Sequence, residues 1–326
     1  MEKPKALVTG YKGLIGRSTV KRLIKEGFYV VGLDNSSREK FFGKDGRSEG
    51  LFDAEFMGMD LDIATNDIFE TIGSRDFDVV VHCAAQPSHE LANTDPKLDF
   101  QANVVGTHNL MEYVRDHSPK ATVIHLSTTK VYSDVINETT AAVGDSTEGH
   151  LINEAKPIQG NHGMFGAHKL AADIIVQEYG NYYGMNTIIF RPGCITGKNH
   201  AGTRQHGFLS YLARCFAEGR KYNIEGDGKQ VRDQLHVEDL VSAFMEVIKK
   251  PKRNVYVIGG EVGNSISVLD AIKMFQDLTG KTIEYDFVKG RDFDHKFNVH
   301  IGTKFRADYP NWKIEHNLLQ IFKDLI

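Results

Sequence analysis

The sequence predicts an α/β protein, a doubly wound parallel sheet with a smaller α/β lobe toward the C-terminus. Three observations predict it. Short apolar runs alternate with helix-spaced segments through the first two-thirds of the chain, as successive βαβ units do. These runs are apolar throughout rather than alternating, Asp78-Val79-Val80-Val81-His82-Cys83-Ala84-Ala85 being the clearest, so both sheet faces are covered. The first run, Ala6-Leu7-Val8, is followed at once by Gly10, Gly13 and Gly16.

Each of those glycines has a physical task. Gly10 takes the backbone angles that turn a strand sharply into a helix. Gly13 lets a pyrophosphate approach the backbone, and Gly16 lets the helix pack closely on its strand, with Leu14 and Ile15 between them. The free N–H groups and the positive end of the helix dipole then face that phosphate. A helix over Ser18–Glu26 leads through Gly27 into a second strand, Phe28–Leu33, closed by Asp34 and Asn35. A carboxylate there accepts hydrogen bonds from both ribose hydroxyls of an adenosine and repels a 2′-phosphate. The expectation is a Rossmann domain holding NAD. Arg38 is the one nearby residue suited to a 2′-phosphate, but Asp34 stands first in line.

Composition narrows the class. A chain of 326 residues buries a large core and suits one large domain with a smaller lobe. Its formal net charge of −4 and lack of basic runs argue against nucleic acid and against a membrane surface. No apolar run is long enough to span a bilayer. The chain opens directly into a strand, so no leader peptide and a cytoplasmic location are expected. Cys83, Cys194 and Cys215 are far apart and read as reduced thiols, and no residues show metal-ligand spacing.

The remaining elements follow in order. Asn35–Leu51 is polar, and a third strand is expected at Glu55–Met59, ending in Asp60-Leu61-Asp62. Asp99–His117 reads as a long helix, Ala121–Ser127 as the fifth strand, Phe165–Tyr183 as a second long helix and Met185–Phe190 as the sixth strand. The polar stretch from Tyr132 to Gly163 has the length of a lid or a disordered connection. Beyond His200, helices are expected at Leu209–Arg220, Val237–Lys250, from Ser267 through Leu278 and at Asn317–Ile326, with a short strand at Val255–Ile258. The expected division is a nucleotide domain over 1–190 with 230–260 returning to it, and a substrate lobe over 191–229 and 261–326.

Further motifs make the chain resemble the extended short-chain dehydrogenase/reductase family, and within it the nucleotide-sugar epimerases and dehydratases. They are Asp60-Leu61, His82-Cys83-Ala84-Ala85-Gln86, Asn103 within Gln101–Thr107, Leu126-Ser127-Thr128-Thr129-Lys130-Val131-Tyr132, Arg191-Pro192-Gly193 and Gly228–Asp239. The resemblance implies that Asp60, Leu61, Ala84, Ala85, Gln86, Asn103, Ser127, Lys169, Arg191 and Gly193 line the cofactor. It implies that Thr128 orients the reacting sugar hydroxyl and that Arg232 holds the diphosphate. Sugar 4,6-dehydratases of the family carry an Asp-Glu pair after the catalytic Thr. Here those positions are Thr129 and Lys130, which argues against dehydration.

Ser-Thr-x-Lys-Val-Tyr, Gln86-Pro87-Ser88-His89 and Ala171-Ala172-Asp173 are similar instead to the CDP-paratose/CDP-tyvelose 2-epimerases. That likeness implies a CDP-sugar as the favoured substrate, met by Ser88, His89, Thr128, Thr129, Lys130, Cys194, Gln205, His206 and Arg232. The two long helices correspond to those that form a four-helix homodimer interface in the family. A 4-epimerase or reductase acting on another sugar nucleotide is the alternative within the fold.

One position departs from the family. Its catalytic helix carries Tyr-x-x-x-Lys, the lysine lowering the tyrosine pKa so that a phenolate takes the hydroxyl proton. Lys169 is present, but Phe165 stands at the tyrosine position, and a phenyl ring exchanges no proton. Three explanations stay open: an introduced change that traps substrate, a native residue with another base, or a protein that binds NAD and a sugar nucleotide without turnover. Lys130, His89 and Lys169 are the candidate bases.

Overall fold

β-Branched residues in the apolar runs pack well on both faces of a pleated sheet, and those runs become strands. The computed structural model describes residues 2–43, 56–65, 67–134, 151–198, 200–204, 206–290 and 295–326. Among these the strands are β1 (Lys5–Thr9), β2 (Tyr29–Asp34), β3 (Phe56–Asp60), β4 (Val79–His82), β5 (Thr122–Leu126), β6 (Asn186–Pro192) and β7 (Cys194–Thr196). They continue with β8 (Tyr222–Glu225), β9 (Val231–His236), β10 (Asn254–Ile258), β11 (Ser265–Ser267), β12 (Tyr285–Val288) and β13 (Phe297–Asn298). No helix of the described residues is long and apolar enough to cross a membrane.

The chain divides into two compact units, one of Met1–Thr128, Met164–Arg191 and Val241–Tyr256, the other of Thr129–Gly163, Pro192–Leu240 and Val257–Ile326. The first unit carries a seven-stranded sheet in the order β10-β6-β5-β4-β1-β2-β3. β1 pairs in parallel with both β2 and β4, and the pairs β2–β3, β4–β5 and β5–β6 are parallel as well. The order reverses between β1 and β4, the switch point at which doubly wound sheets bind ligands beyond their strand ends. Leu7, Val31, Val80, Leu110, Val114, Val123, Val176 and Ile189 meet in the core between sheet and helices.

The expected helix over Asp99–His117 is longer and has a defect. Asp95 accepts from the Leu98 N–H at 3.0 Å and Pro96 occupies the first turn, so helix begins at Pro96. It runs to Phe100, passes through a π-helical turn over Gln101–Val105 and continues as Gly106–His117. The second long helix spans Gly163–Tyr183.

In the second unit β9 pairs with β7, β11 and β13, while β8 pairs with β12. The helices Phe208–Glu218, Val268–Thr279 and Leu318–Asp324 bury Leu212, Phe216, Ile272, Phe275 and Phe322 around Ile224. Ser267 and Asn317 cap the last two. The observed division differs from the expected one at residues 129–163, 230–240 and 257–260, which belong to the second unit, and at Arg191, which belongs to the first. Residues 230–240 belong to the second unit because every partner of β9 does. The Thr129–Gly163 segment belongs there too: Ile152 exchanges backbone bonds with Val299 and Ile301, and Glu154 accepts from the Val257 N–H. Those bonds fix the described part of the stretch read from sequence as a lid; residues 135–150 lie outside the described residues.

Two predictions follow from this packing. A Cβ on Gly16 would sit 2.2 Å from the Gly10 carbonyl oxygen and 2.8 Å from Tyr11 Cα, both immovable backbone. Gly16→Ala is expected to lower the urea unfolding free energy by about 2 kcal/mol, as overpacking does. His82 and His125 are fully buried side by side, with ring centroids 5.1 Å apart. Burial first, and then the Lys169 charge, drives the His82 pKa down to about 3 and His125 well below its ordinary value. The folded state holds both neutral, so the stability they contribute is complete above pH ~6.5 and falls as the pH drops toward 3. His125→Leu is expected to lose about 2 kcal/mol less than the unchanged protein between pH 7 and 5, measured by denaturant unfolding.

Candidate active site

β1 ends at Thr9, and Gly10 turns the chain with φ +71° while its N–H donates to the Leu33 carbonyl at 2.7 Å. A Cβ on Gly10 would meet Ala84 N at 2.6 Å, so the turn lies directly on the chain leaving β4. Gly13 precedes the Leu14–Lys25 helix, and no side chain caps that end. At the end of β2 the Asp34 carboxylate accepts from the Lys12 N–H at 3.0 Å and the Ser36 N–H at 2.8 Å. Burial raises its pKa against those bonds. Asn35 donates to Asp62 at 2.9 Å and Leu61 N–H to the Asp34 carbonyl at 3.0 Å, tying the ends of β2 and β3 together beside Asp60. Arg38 lies over the Phe42 ring. Ser127 Oγ, beyond β5, is buried with no partner among the described residues. An uncapped helix end, a glycine turn, an acceptor closing β2 and this orphaned hydroxyl fit a dinucleotide.

Beyond β4, several expected ligand contacts bond to one another. The Asp99 carboxylate, fully buried, accepts through Oδ1 from Gln86 Nε2 at 2.7 Å and Asn103 Nδ2 at 2.8 Å. Asn103 Oδ1 accepts from the Gln86 N–H, and Gln86 Oε1 from the Ser88 N–H, while Ser88 Oγ caps the His89–Thr94 helix. The π-helical turn carries Asn103 to this position. Asp99 Oδ2 meets His168 Nδ1 at 2.6 Å. Arg191 is likewise committed, its Nε and Nη2 each donating to Asp173 at 2.9 Å in a buried fork. Asp99 and His168 carried no signal in sequence, since the pair spans 69 residues.

Lys169 is 3 % exposed, and its Nζ donates to the Leu126 carbonyl at 2.7 Å. Burial lowers its pKa to about 8, with Asp173, Asp99 and Cys83 opposing the shift. Burial also pushes the Cys83 thiol up to about 12. One helical turn before Lys169, Phe165 is 8 % exposed and its ring centroid lies 4.5 Å from that of His89. Tyr179 bonds Glu112, and Tyr182 and Tyr183 are exposed, so none of the three replaces a phenol at this turn. Thr128 is half-buried at the end of the same segment.

The other expected residues belong to the second unit. Thr129, Lys130 and Val131 form a 3₁₀ turn, and Thr129 Oγ1 lies 2.9 Å from His300 Nε2. Arg232, on β9, is 9 % exposed, and its Nη1 donates to the Val231 carbonyl. Cys194, on β7, pairs across from Gln234. Gly193 N–H donates to the Ile258 carbonyl. His206 bridges Thr203 and contacts the His200 ring, whereas Gln205 lies outside the described residues. His236 stacks on His316 at 4.0 Å and faces Asp324, a cluster with Glu238 that spacing along the chain had not suggested. Sequence reading also missed Asp233 and His300. Asp233 adjoins Arg232 in a quoted motif, but nothing local marks His300.

Comparisons with known proteins agree with this arrangement. The model of the NAD dependent epimerase/dehydratase family matches residues 6–259. The chain is 29 % identical to a CDP-paratose 2-epimerase of Salmonella typhi, over 90 % of each chain. It is 31 % identical to a UDP-glucose 4-epimerase of Mycolicibacterium smegmatis, over 74 % of this chain and 72 % of that one. Among solved structures, an epimerase of Methanothermobacter thermautotrophicus superposes with a TM-score of 0.83 at 18 % identity, covering 99 % of this chain and 91 % of the other. With the family model spanning most of its length and its glycine turn and buried lysine in place, the chain belongs to the NAD-dependent epimerase/dehydratase family.

Proposed function

We propose that this protein is an NAD-dependent nucleotide-sugar epimerase of the CDP-paratose 2-epimerase kind. The observation that carries the reading is Lys169, buried on the Leu126 carbonyl beyond the glycine turn in the same unit. The likeness to the Salmonella typhi enzyme supports the choice of sugar nucleotide. Thr129 and Lys130 stand where dehydratases of the family carry an acid and a base, which favours epimerisation over loss of water.

Gly10, Gly13 and Gly16 receive the pyrophosphate, Asp34 the adenosine ribose and Lys169 the nicotinamide ribose. The bound nicotinamide supplies a reversible hydride acceptor, so a sugar carbon is oxidised and reduced again with no net redox change. Thr128 orients the reacting hydroxyl. Arg232, with a planar fork suited to phosphate, holds the diphosphate, and His206 and Gln205 meet the nucleotide. Three cysteines without a disulfide suit a reducing cytoplasm. Ile174 and Tyr182 are exposed on the Gly163–Tyr183 helix and Phe100 on its neighbour, apolar area suited to a helix-bundle homodimer.

Phe165 favours one other reading, a protein that binds both ligands and converts neither. Incubating the protein with CDP-, UDP- and GDP-sugars and resolving products by NMR separates the two. Epimerised CDP-sugar is the expected result. Product from a UDP-sugar alone reassigns the substrate, and no product with any sugar overturns the enzyme. Lys169→Met, close in shape, is expected to lower kcat about 10²-fold or more and to weaken NAD retention, measured by cofactor released on denaturation.

A further inference from the structure

Lys12, in the glycine turn of the first unit, carries a charge that the roles above leave unused. The residue is partly exposed, and its Nζ donates to Ser36 Oγ at 2.6 Å, a neutral acceptor. The same ammonium lies 5.6 Å from the Tyr11 ring centroid, and among the described residues no carboxylate forms an ion pair with it. An ammonium has three donors, so two remain for a ligand. Ser36 Oγ, accepting from the lysine, keeps its own hydroxyl proton to donate.

The backbone beside Asp34 holds that pair in place. The Lys12 N–H donates to Asp34 Oδ2 at 3.0 Å and the Ser36 N–H to Asp34 Oδ1 at 2.8 Å. One carboxylate is thus gripped by the same two residues whose side chains meet next to it. Ser36 adopts φ +57° to do so, a left-handed conformation that is unfavourable for a residue with a Cβ and that gathers at ligand sites. Two residues on, the partly exposed Arg38 lays its guanidinium over the Phe42 ring at 5.3 Å. All of these residues belong to the first unit.

Charge decides what such a place takes. Asp34 alone repels a phosphate on the ribose 2′-oxygen, and Asp60 adds to that field, since its charge raises the Asp34 pKa. Against them, burial disfavours the Asp34 charge, backbone N–H groups already hold both its oxygens, and the Lys12 charge offsets it. A 2′-phosphate also gains what a hydroxyl does not, charge-assisted bonds from the spare ammonium N–H groups. The Ser36 hydroxyl adds a donor, and the planar fork of Arg38 suits the same group.

We propose that Lys12 and Ser36, flanked by Arg38, form a subsite for a 2′-phosphate, so that the protein takes the 2′-phosphorylated dinucleotide NADP as well as NAD. The inference rests on the dinucleotide site of the family and is independent of which sugar is converted.

The test titrates the full chain, freed of bound nucleotide, by calorimetry with NAD, NADP, 5′-AMP and adenosine 2′,5′-bisphosphate. NADP is expected to bind within about tenfold of NAD, and the bisphosphate more tightly than 5′-AMP. Lys12→Met is expected to raise the Kd of NADP and of the bisphosphate about tenfold or more, the worth of one charge-assisted bond, while that of NAD moves by less than about threefold. Retained NAD binding shows that the variant is folded, and Lys12→Arg, which keeps the charge, should restore NADP. Ser36→Ala should weaken NADP by a smaller factor than Lys12→Met. NADP binding more than about tenfold more weakly than NAD overturns the subsite. So does a Lys12→Met variant that weakens both dinucleotides alike, or neither. Uptake of neither dinucleotide by the unchanged protein overturns the cofactor site itself, and the subsite with it.

Discussion

A tight contact between helix, turn and strand end in the first unit is the constraint on which its layout depends. Gly16 touches Gly10 and Gly10 touches the chain leaving β4, with no room for a methyl group at either contact. Helix, turn and the end of β4 are therefore locked together where the strand order reverses. Gly10, Asn35, Cys83 and Ser127 stand just beyond the ends of β1, β2, β4 and β5 at this edge of the sheet. A side chain at either glycine would force the helix from β1 and so lift its uncapped N–H groups out of register with Asp34. The fold and the cradle are in this sense one structure.

Low polarity behind that edge sets the protonation of what projects from it. His82 is neutral between Thr9 and Thr107, His125 has no hydrogen-bond partner among the described residues, and the Cys83 thiol stays protonated. None of these groups screens the Lys169 charge by ionising. Asp173 is near enough to favour the charged lysine, but its carboxylate is bound in a bidentate pair by Arg191. Burial consequently outweighs attraction, and the lysine pKa falls to about 8.

What was legible in the sequence was local. The glycine turn, the acid closing β2, the apolar strands and the capped helices Val268–Thr279 and Leu318–Asp324 each announce themselves within a dozen residues. The short strands β7, β8, β11, β12 and β13 have too few residues to show a period, and β9 is assigned by its partners alone. That is why the division of the chain shifted at 129–163, 230–240 and 257–260. The same reason hid the polar pairs. Asp99 with His168, Asp233 with His300 and Thr129 with His300 are separated by 69, 67 and 171 residues. Motif likeness named Gln86, Ser88, Asn103 and Arg191, but it could not show that their side chains hold Asp99, Asp173 and one another.

Phe165 is where this chain departs from the family it resembles, since the position one helical turn before Lys169 carries a ring without an oxygen. A phenolate needs a nearby cation, and Lys169 would supply it, yet the ring at position 165 packs on His89 and has no oxygen to charge. In the second unit the buried Asp233 carboxylate holds His300 Nδ1 at 2.6 Å, and His300 Nε2 meets Thr129 Oγ1 at 2.9 Å. Gly193 and Gly259 pass so close to this pair that a Cβ on either would collide with it, and neither has a positive φ, so the space they leave is explained by the pair they accommodate.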